Sequence, residues 1–109
     1  MKYLLGIDFG GGSSKATLLR TDGQITAENT VEYPTYYPNL GWCEQSPADW
    51  EGALIENIRA LLTKSGIDAN DILAVAIDSA THTAVLCDEN STPLRPAIHW
   101  TDSRSREEA

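Results

Sequence analysis

The residues best suited to chemistry fall into three short stretches, of which Asp8-Phe9-Gly10-Gly11-Gly12-Ser13-Ser14-Lys15 is the most distinctive. Glycines let a turn backbone approach an anion closely and aim successive N–H groups at it. Ser13 and Ser14 could add hydroxyl donors, and Lys15 a positive charge. Asp8, closing an apolar run, could hold Mg²⁺ through water, as phosphoryl transfer requires. The GxxxxGK[ST] spacing of a Walker A loop is absent. The same residues equally describe a glycine-rich hairpin whose aspartate bonds the turn backbone, and spacing alone leaves both readings open.

The second stretch is Asp78-Ser79-Ala80-Thr81-His82-Thr83. It follows an apolar run, and open α/β sheets place ligands at strand ends of this kind. His82 could hydrogen-bond a substrate hydroxyl or serve the structure. The third, Trp100-Thr101-Asp102-Ser103-Arg104, sets an aromatic wall, a carboxylate and a guanidinium within five residues. Asp102 or Ser103 could instead simply cap a helix. No Ser/His/Asp or Cys/His arrangement can be read from spacing, and the two histidines give no metal cluster.

These stretches need elements to position them. Residues 2–9 alternate Tyr3, Leu5, Ile7 and Phe9 with Leu4 and Gly6, apolar on both sides, which predicts a strand covered on both faces. Residues 15–20 form a second strand. The Asp22-Gly23 pair, favoured in two-residue hairpins, turns the chain into a third strand from Gln24 to about Glu32. Residues 33–45 are irregular and aromatic, and their rings are expected to pack the loop onto the body. A helix then starts at Ser46 (N-cap), with Pro47 in its first position and Asp49 as the capping-box carboxylate, and closes at Gly66. Trp50, Leu54, Ile58, Leu61 and Leu62 mark its inner face. Residues 71–77 predict a second buried strand, parallel to its neighbour by a right-handed crossover. Short strands over 83–87 and 94–100 follow, and a helix is expected from Asp102.

The class is α/β: a three-stranded antiparallel meander, a helix and further strands, in 109 residues of 41% hydrophobic and 22% charged composition. A net charge of -8 argues against nonspecific binding to nucleic acid or anionic membrane. No apolar run approaches the roughly 18 residues of a spanning helix. The N-terminus, with one cation and a short apolar stretch before an aspartate, does not read as a signal peptide. Cys43 and Cys87 belong to no CxxC or metal spacing, and both are expected as reduced thiols in a cytoplasmic protein.

Taken in order, Tyr3-Leu4-Leu5-Gly6-Ile7-Asp8-Phe9-Gly10, Ser13-Ser14-Lys15, Gly41-Trp42-Cys43-Glu44-Gln45, Pro47-Ala48-Asp49-Trp50 and residues 93–104 resemble the FGGY carbohydrate kinases, most closely their xylulokinase branch. The match runs over essentially the whole chain. It implies a ribonuclease H-like, actin-like ATPase fold and ATP-dependent, Mg²⁺-assisted phosphorylation of a sugar hydroxyl. By this likeness Asp8 would help organise Mg²⁺ through water. Gly10, Gly11, Gly12 and Ser13 would contact the phosphates, with Ser14 and Lys15 beside them. His82 would meet the sugar, with Thr81 next to it, and Trp100, Asp102 and Arg104 would border the sugar pocket. D-xylulose is the first substrate implied. The family usually has Thr where Gly11 stands, and Ala80, Thr81 and Thr83 depart from its Gln-Met-His-Gly segment, so another pentulose, a hexulose, a polyol or an aldonate is the alternative.

The family's catalytic base and adenosine-binding motifs have no counterpart in residues 1–109. The chain is therefore expected to be the N-terminal portion of the first kinase domain, inactive alone, with ATP, Mg²⁺ and a sugar as partners of the intact enzyme. Two other readings compete: a binding or regulatory module that keeps the fold without chemistry, and another actin-like ATPase. The segments around Trp42, His82 and Trp100 argue against the last, since such ATPases hold no sugar. Oligomeric state cannot be read from the sequence.

Overall fold

The computed structural model describes residues 1–108. Strands β1 (Tyr3–Phe9), β2 (Ser13–Arg20) and β3 (Ile25–Glu32) form the expected antiparallel meander. Helix α1 (Pro47–Ser65) carries the chain across to β5 (Ile72–Ser79), which lies parallel to β1 and completes a four-stranded sheet of order β3-β2-β1-β5. Two short strands, β4 (Glu44–Gln45) and β6 (Ala97–Ile98), pair antiparallel as a separate ribbon.

The β2–β3 hairpin is longer than the Asp-Gly signal suggests. Arg20 N–H donates to Gln24 O and Gly23 N–H to Arg20 O, with Gly23 at φ 95°, so three residues turn the chain and glycine takes the left-handed position. Asp22 steadies the loop by accepting from Gln24 N–H and from Arg20.

The core lies between one face of the sheet and α1. Leu5, Ile7, Ala16, Leu18 and Leu61 are buried together, with Leu54 and Ile58 packed against them. The centre of the helix face is polar, however: Asn57 lies between Ala53 and Leu61, fully buried. Its Nδ2 donates to Ser14 O and Ser14 Oγ, both at 3.2 Å, and its Oδ1 accepts from Asn29. Each buried polar atom of this cluster is paired, which is the condition for burying it cheaply.

The helix ends are only half as foreseen. Gly66 closes α1 in the left-handed region at φ 69°, its N–H donating to Leu62 O. At the other end the Ser46 side chain makes no capping bond and the buried Asp49 Oδ2 has no partner, so the capping box does not form. Pro47 and the backbone bond from Asp49 N–H to Ser46 O start the helix instead.

Three expectations fail farther along. The run over 72–79 is a strand, but it is exposed rather than buried: Val75 is 54% and Ile77 60% accessible. Both share the face of Leu5 and Ile7, their partners in register, but stand where α1 no longer reaches. The far face, with Leu4 and Asp8, is also open, because among the described residues one helix alone covers the sheet. Residues 83–87 are no strand; single bridges tie Ala84 to Ile98 and Cys87 to Pro93. Described residues from Asp102 onward form turns rather than a helix, with bonds from Arg106 N–H to Ser103 O and Glu108 N–H to Ser105 O. Of the loop aromatics, Tyr33 is buried and Trp42 half-buried, while Tyr36 and Tyr37 face solvent.

Candidate functional site

The glycine turn joins β1 to β2 at the edge of a cavity of about 280 Å³, whose lining includes Phe9, Gly10, Tyr33, Gln45, Trp50 and Ala80. All four of its carbonyls are held from within the protein. The Tyr33 hydroxyl donates, shared, to Gly10 O at 2.5 Å and Ser13 O at 3.0 Å. Gln45 Nε2 donates to Gly11 O at 2.6 Å, Tyr33 N–H to Gly12 O, and Gly10 N–H to Ser13 O. With the carbonyls bound inward, the exposed Gly11 and Gly12 present the turn's outer side to solvent.

Two side chains hold this arrangement that motif reading passed over. Tyr33 is buried at the end of β3, and burial followed by the nearby Asp8 charge pushes its phenol pKa up, so it stays a donor. Gln45 is also buried; besides Gly11 O it reaches Thr35 Oγ1 at 2.9 Å, and its Oε1 accepts from Trp50 Nε1 at 3.1 Å. The available signal was positional: Gln45 ends an irregular segment and Trp50 lies one helical turn on.

Side-chain alternation then sorts the candidate phosphate residues. Ser14 is wholly buried and its hydroxyl is taken by Asn57, on the α1 face of the sheet. It is therefore removed from the set of phosphate contacts: successive strand residues point to opposite faces. Lys15 falls on the other face, opposite Asp8 in register, and approaches Glu28 at 3.7 Å. Asp8 and Lys15 line an open groove there with Gly6, Thr17, Ala76 and Asp78. Among the described residues no group of three or more His, Cys, Asp or Glu could hold a metal ion.

His82 stands at φ 54°, a left-handed conformation rare outside glycine, with Thr81 Oγ1 at 2.8 Å from its Nδ1. Such strain persists only where surrounding structure imposes it, and it clusters at functional sites. The Ala84–Ile98 bridge leaves His82 and Trp100 two residues away on the same side of it, and both are exposed.

Asp102 and Arg104, by contrast, are occupied with each other. Arg104 Nε and Nη2 grip the Asp102 carboxylate at 2.7–3.0 Å, while Cys43 N–H donates to Asp102 at 2.6 Å. These bonds hold the Asp102 carboxyl far below the usual carboxylate range, against the opposing effect of burial, and raise Arg104. Arg104 also donates to the buried Glu44 at 2.8 Å and lies 3.9 Å over the Trp42 ring. Arg95 completes the cluster on the same Glu44 oxygen. Both thiols are free, Cys43 buried and Cys87 exposed. No helix among the described residues is long and apolar enough to cross a membrane.

A meander joined through a helix to a parallel strand, with a glycine turn at the end of β1, is the N-terminal part of a ribonuclease H-like α/β domain. Residues 3–109 match the model of the FGGY family of carbohydrate kinases, N-terminal domain, and the chain belongs to that family. It is 36% identical over 105 residues to the xylulose kinase of Bacillus subtilis, covering 96% of this chain and 21% of that protein. It is 37% identical over 103 residues to the gluconokinase of the same organism, covering 94% and 20%. Among solved structures, the ligand-bound xylulose kinase from Lactobacillus acidophilus superposes with TM-score 0.90 at 27% identity, over 99% of this chain and 21% of that one. The chain thus spans about a fifth of the length of the relatives it matches.

Proposed function

We propose that this chain is the N-terminal portion of the first domain of an ATP-dependent sugar kinase, cytoplasmic, which transfers the γ-phosphate to a sugar hydroxyl. The observation that carries the reading is the glycine turn, with every carbonyl from Gly10 to Ser13 held by an internal donor, Gly10 N–H among them, and with Gly11 and Gly12 exposed. A turn so oriented offers amide dipoles to an anion without rearranging, and preorganisation is what phosphoryl transfer asks of a protein. The acidic net charge poses no obstacle, because such contacts are local.

The residues present suit Mg²⁺. Asp8 is an exposed carboxylate at the end of β1, a hard oxygen ligand able to hold the ion through water, with Asp78 beside it in register. When bound, the ion would screen charge on the phosphates. Gly10, Gly11, Gly12 and Ser13 would bind and orient the phosphates, with Lys15 adding charge from the Asp8 groove. His82, Thr81 and Trp100 would line the sugar side. Asp102 and Arg104 would serve that side by fixing the loop that carries Trp100, since their own hydrogen-bonding groups are engaged. The proton-accepting base and the nucleoside site would come from the remainder of the enzyme.

D-xylulose is the first substrate proposed, supported by the kinship to xylulose kinases; the kinship to a gluconokinase keeps aldonates in the panel. The test is a coupled assay of the full-length protein with MgATP against pentuloses, hexuloses, polyols and aldonates. Turnover of one class is expected, with none from residues 1–109 alone. Absence of ATP-dependent turnover and of nucleotide binding in the full-length protein would leave the non-catalytic module as the better reading. Turnover by the isolated chain would refute its assignment as a fragment.

A further inference from the structure

His99 follows β6 directly and is 7% exposed, its backbone N–H donating to Cys43 O at 2.9 Å. Its ring is half satisfied. Nδ1 lies 2.9 Å from Thr101 Oγ1 and 3.4 Å from Thr101 N. A backbone amide can only donate, so Nδ1 is assigned as the acceptor and Nε2 as the N–H of the neutral imidazole, with the Thr101 hydroxyl donating to Nδ1 and accepting from the Cys43 thiol 3.0 Å away. That Nε2 is buried and has no partner among the described residues. Buried donors in folded proteins are almost always paired, and an orphan calls for a reason.

The direction of Nε2 supplies one. A Cβ built on Gly11 would stand 3.9 Å from it, so the imidazole reaches toward the position that a side chain at residue 11 would occupy. Gly11 is exposed, and a Cβ on Gly12 would meet nothing within 4 Å, so the approach to the turn is open. Glycine at position 11 leaves the space beside Nε2 free of a side chain.

We propose that His99 is a phosphate-contacting residue, its Nε2–H lending the turn the side-chain donor that Gly11 cannot supply. The ligand group is a phosphoryl oxygen seated on the turn, which accepts this hydrogen bond beside those of the glycine amides. Gly11 and His99 act as one unit: the first vacates the space that the second addresses. This rests on the reading of the turn as a phosphate site.

The experiment uses the full-length protein, with ADP as the calorimetric probe and MgATP turnover as the kinetic one. His99→Leu keeps bulk without a donor and is expected to raise the ADP Kd and the ATP KM roughly ten- to a hundredfold, the worth of a hydrogen bond to a charged group. The sugar KM should stay within about twofold, and His99→Gln, which restores an N–H, should recover most of the loss. Gly11→Ala, whose methyl would stand 3.9 Å from Nε2, should weaken ADP binding in the wild-type background and less in His99→Leu. Unchanged ADP Kd and ATP KM in His99→Leu refute the proposal, as do equal losses in the Leu and Gln variants with the sugar KM rising in step. If His99→Leu does not fold, Gly11→Ala decides, and undiminished ADP affinity there refutes it. A wild-type protein that binds no ADP overturns the phosphate reading itself, a different result from wild-type binding that is indifferent to residue 99.

Discussion

Replacing Gln45 by Met tests whether the glycine turn is held from behind. Methionine nearly matches glutamine in length and lacks its donors and acceptor, so packing is retained while three bonds vanish: to Gly11 O, to Thr35 Oγ1 and from Trp50 Nε1. At about 1 kcal/mol net for each, the local loss is about 3 kcal/mol. If opening of the turn bears most of that loss, its amides should exchange with solvent about a hundredfold faster. The measurement is hydrogen exchange by mass spectrometry on peptides covering residues 9–16 of the full-length protein. The ATP KM should rise severalfold with the sugar KM affected less. Gln45→Glu sharpens the comparison: a carboxylate still accepts from Trp50 but cannot donate to Gly11 O, and it should loosen the turn at least as much. Exchange within about threefold of wild type, with an unchanged ATP KM, would refute the view that Gln45 orients the turn.

Asp8→Asn should lower kcat at least about a hundredfold while sugar binding by calorimetry stays nearly intact, since an amide is a poor partner for hydrated Mg²⁺. His82→Ala should raise the sugar KM without raising Tm; His82→Gly should raise the sugar KM equally and hold or raise Tm, because glycine accepts φ 54° without strain. Asp102 is ionised in the folded protein where the unfolded chain takes up a proton near pH 4. Its stabilisation is therefore complete above that pH and drains as pH falls through and below it, and Asp102→Asn should flatten the acid limb of the stability profile. Val75→Lys with Ile77→Lys should suppress self-association of the isolated 109-residue chain, measured by light scattering, because β5 presents an apolar face and an unpaired edge.

The meander, α1 and the parallel β5 were open to sequence reasoning because their signals are local: alternation, an Asp-Gly turn, a helical stripe between proline and glycine. Burial was not. An apolar strand such as Ile72–Ser79 has the same pattern whether or not anything covers it, so the covering layer had to be assumed. Ser14 was misplaced for a related reason: motif spacing ignores the face on which a strand residue falls, and alternation sends its hydroxyl to Asn57. Asn57 could have been found, as a polar residue centred between Ala53 and Leu61. The capping box and the final helix failed because capping residues state a preference without compelling it: the Asp49 carboxylate makes no cap bond, and Asp102, although it accepts from Arg104 N–H, is tied into a turn by the Arg104 side chain and Cys43 N–H.

The two-residue strand β4 connects what the motifs present as separate. Alternation along it sends Glu44 to one side, where Arg95 and Arg104 hold it against the loop of Trp100, and Gln45 to the other, where it holds Gly11. Pairing of β4 with β6 brings His99, the next residue along, to the same glycine from the Trp100 side. A shift of the Trp100 loop therefore acts on the turn along two routes, through β4 to Gln45 and through β6 to His99. If both routes operate, Glu44→Gln should loosen the turn although residue 44 does not touch it, since both arginine contacts lose the carboxylate charge they share. Faster exchange in residues 9–16 is expected in that variant, with a smaller effect when His99→Leu is already present. Strict additivity of the two substitutions would show instead that the sugar-side cluster and the glycine turn are independent.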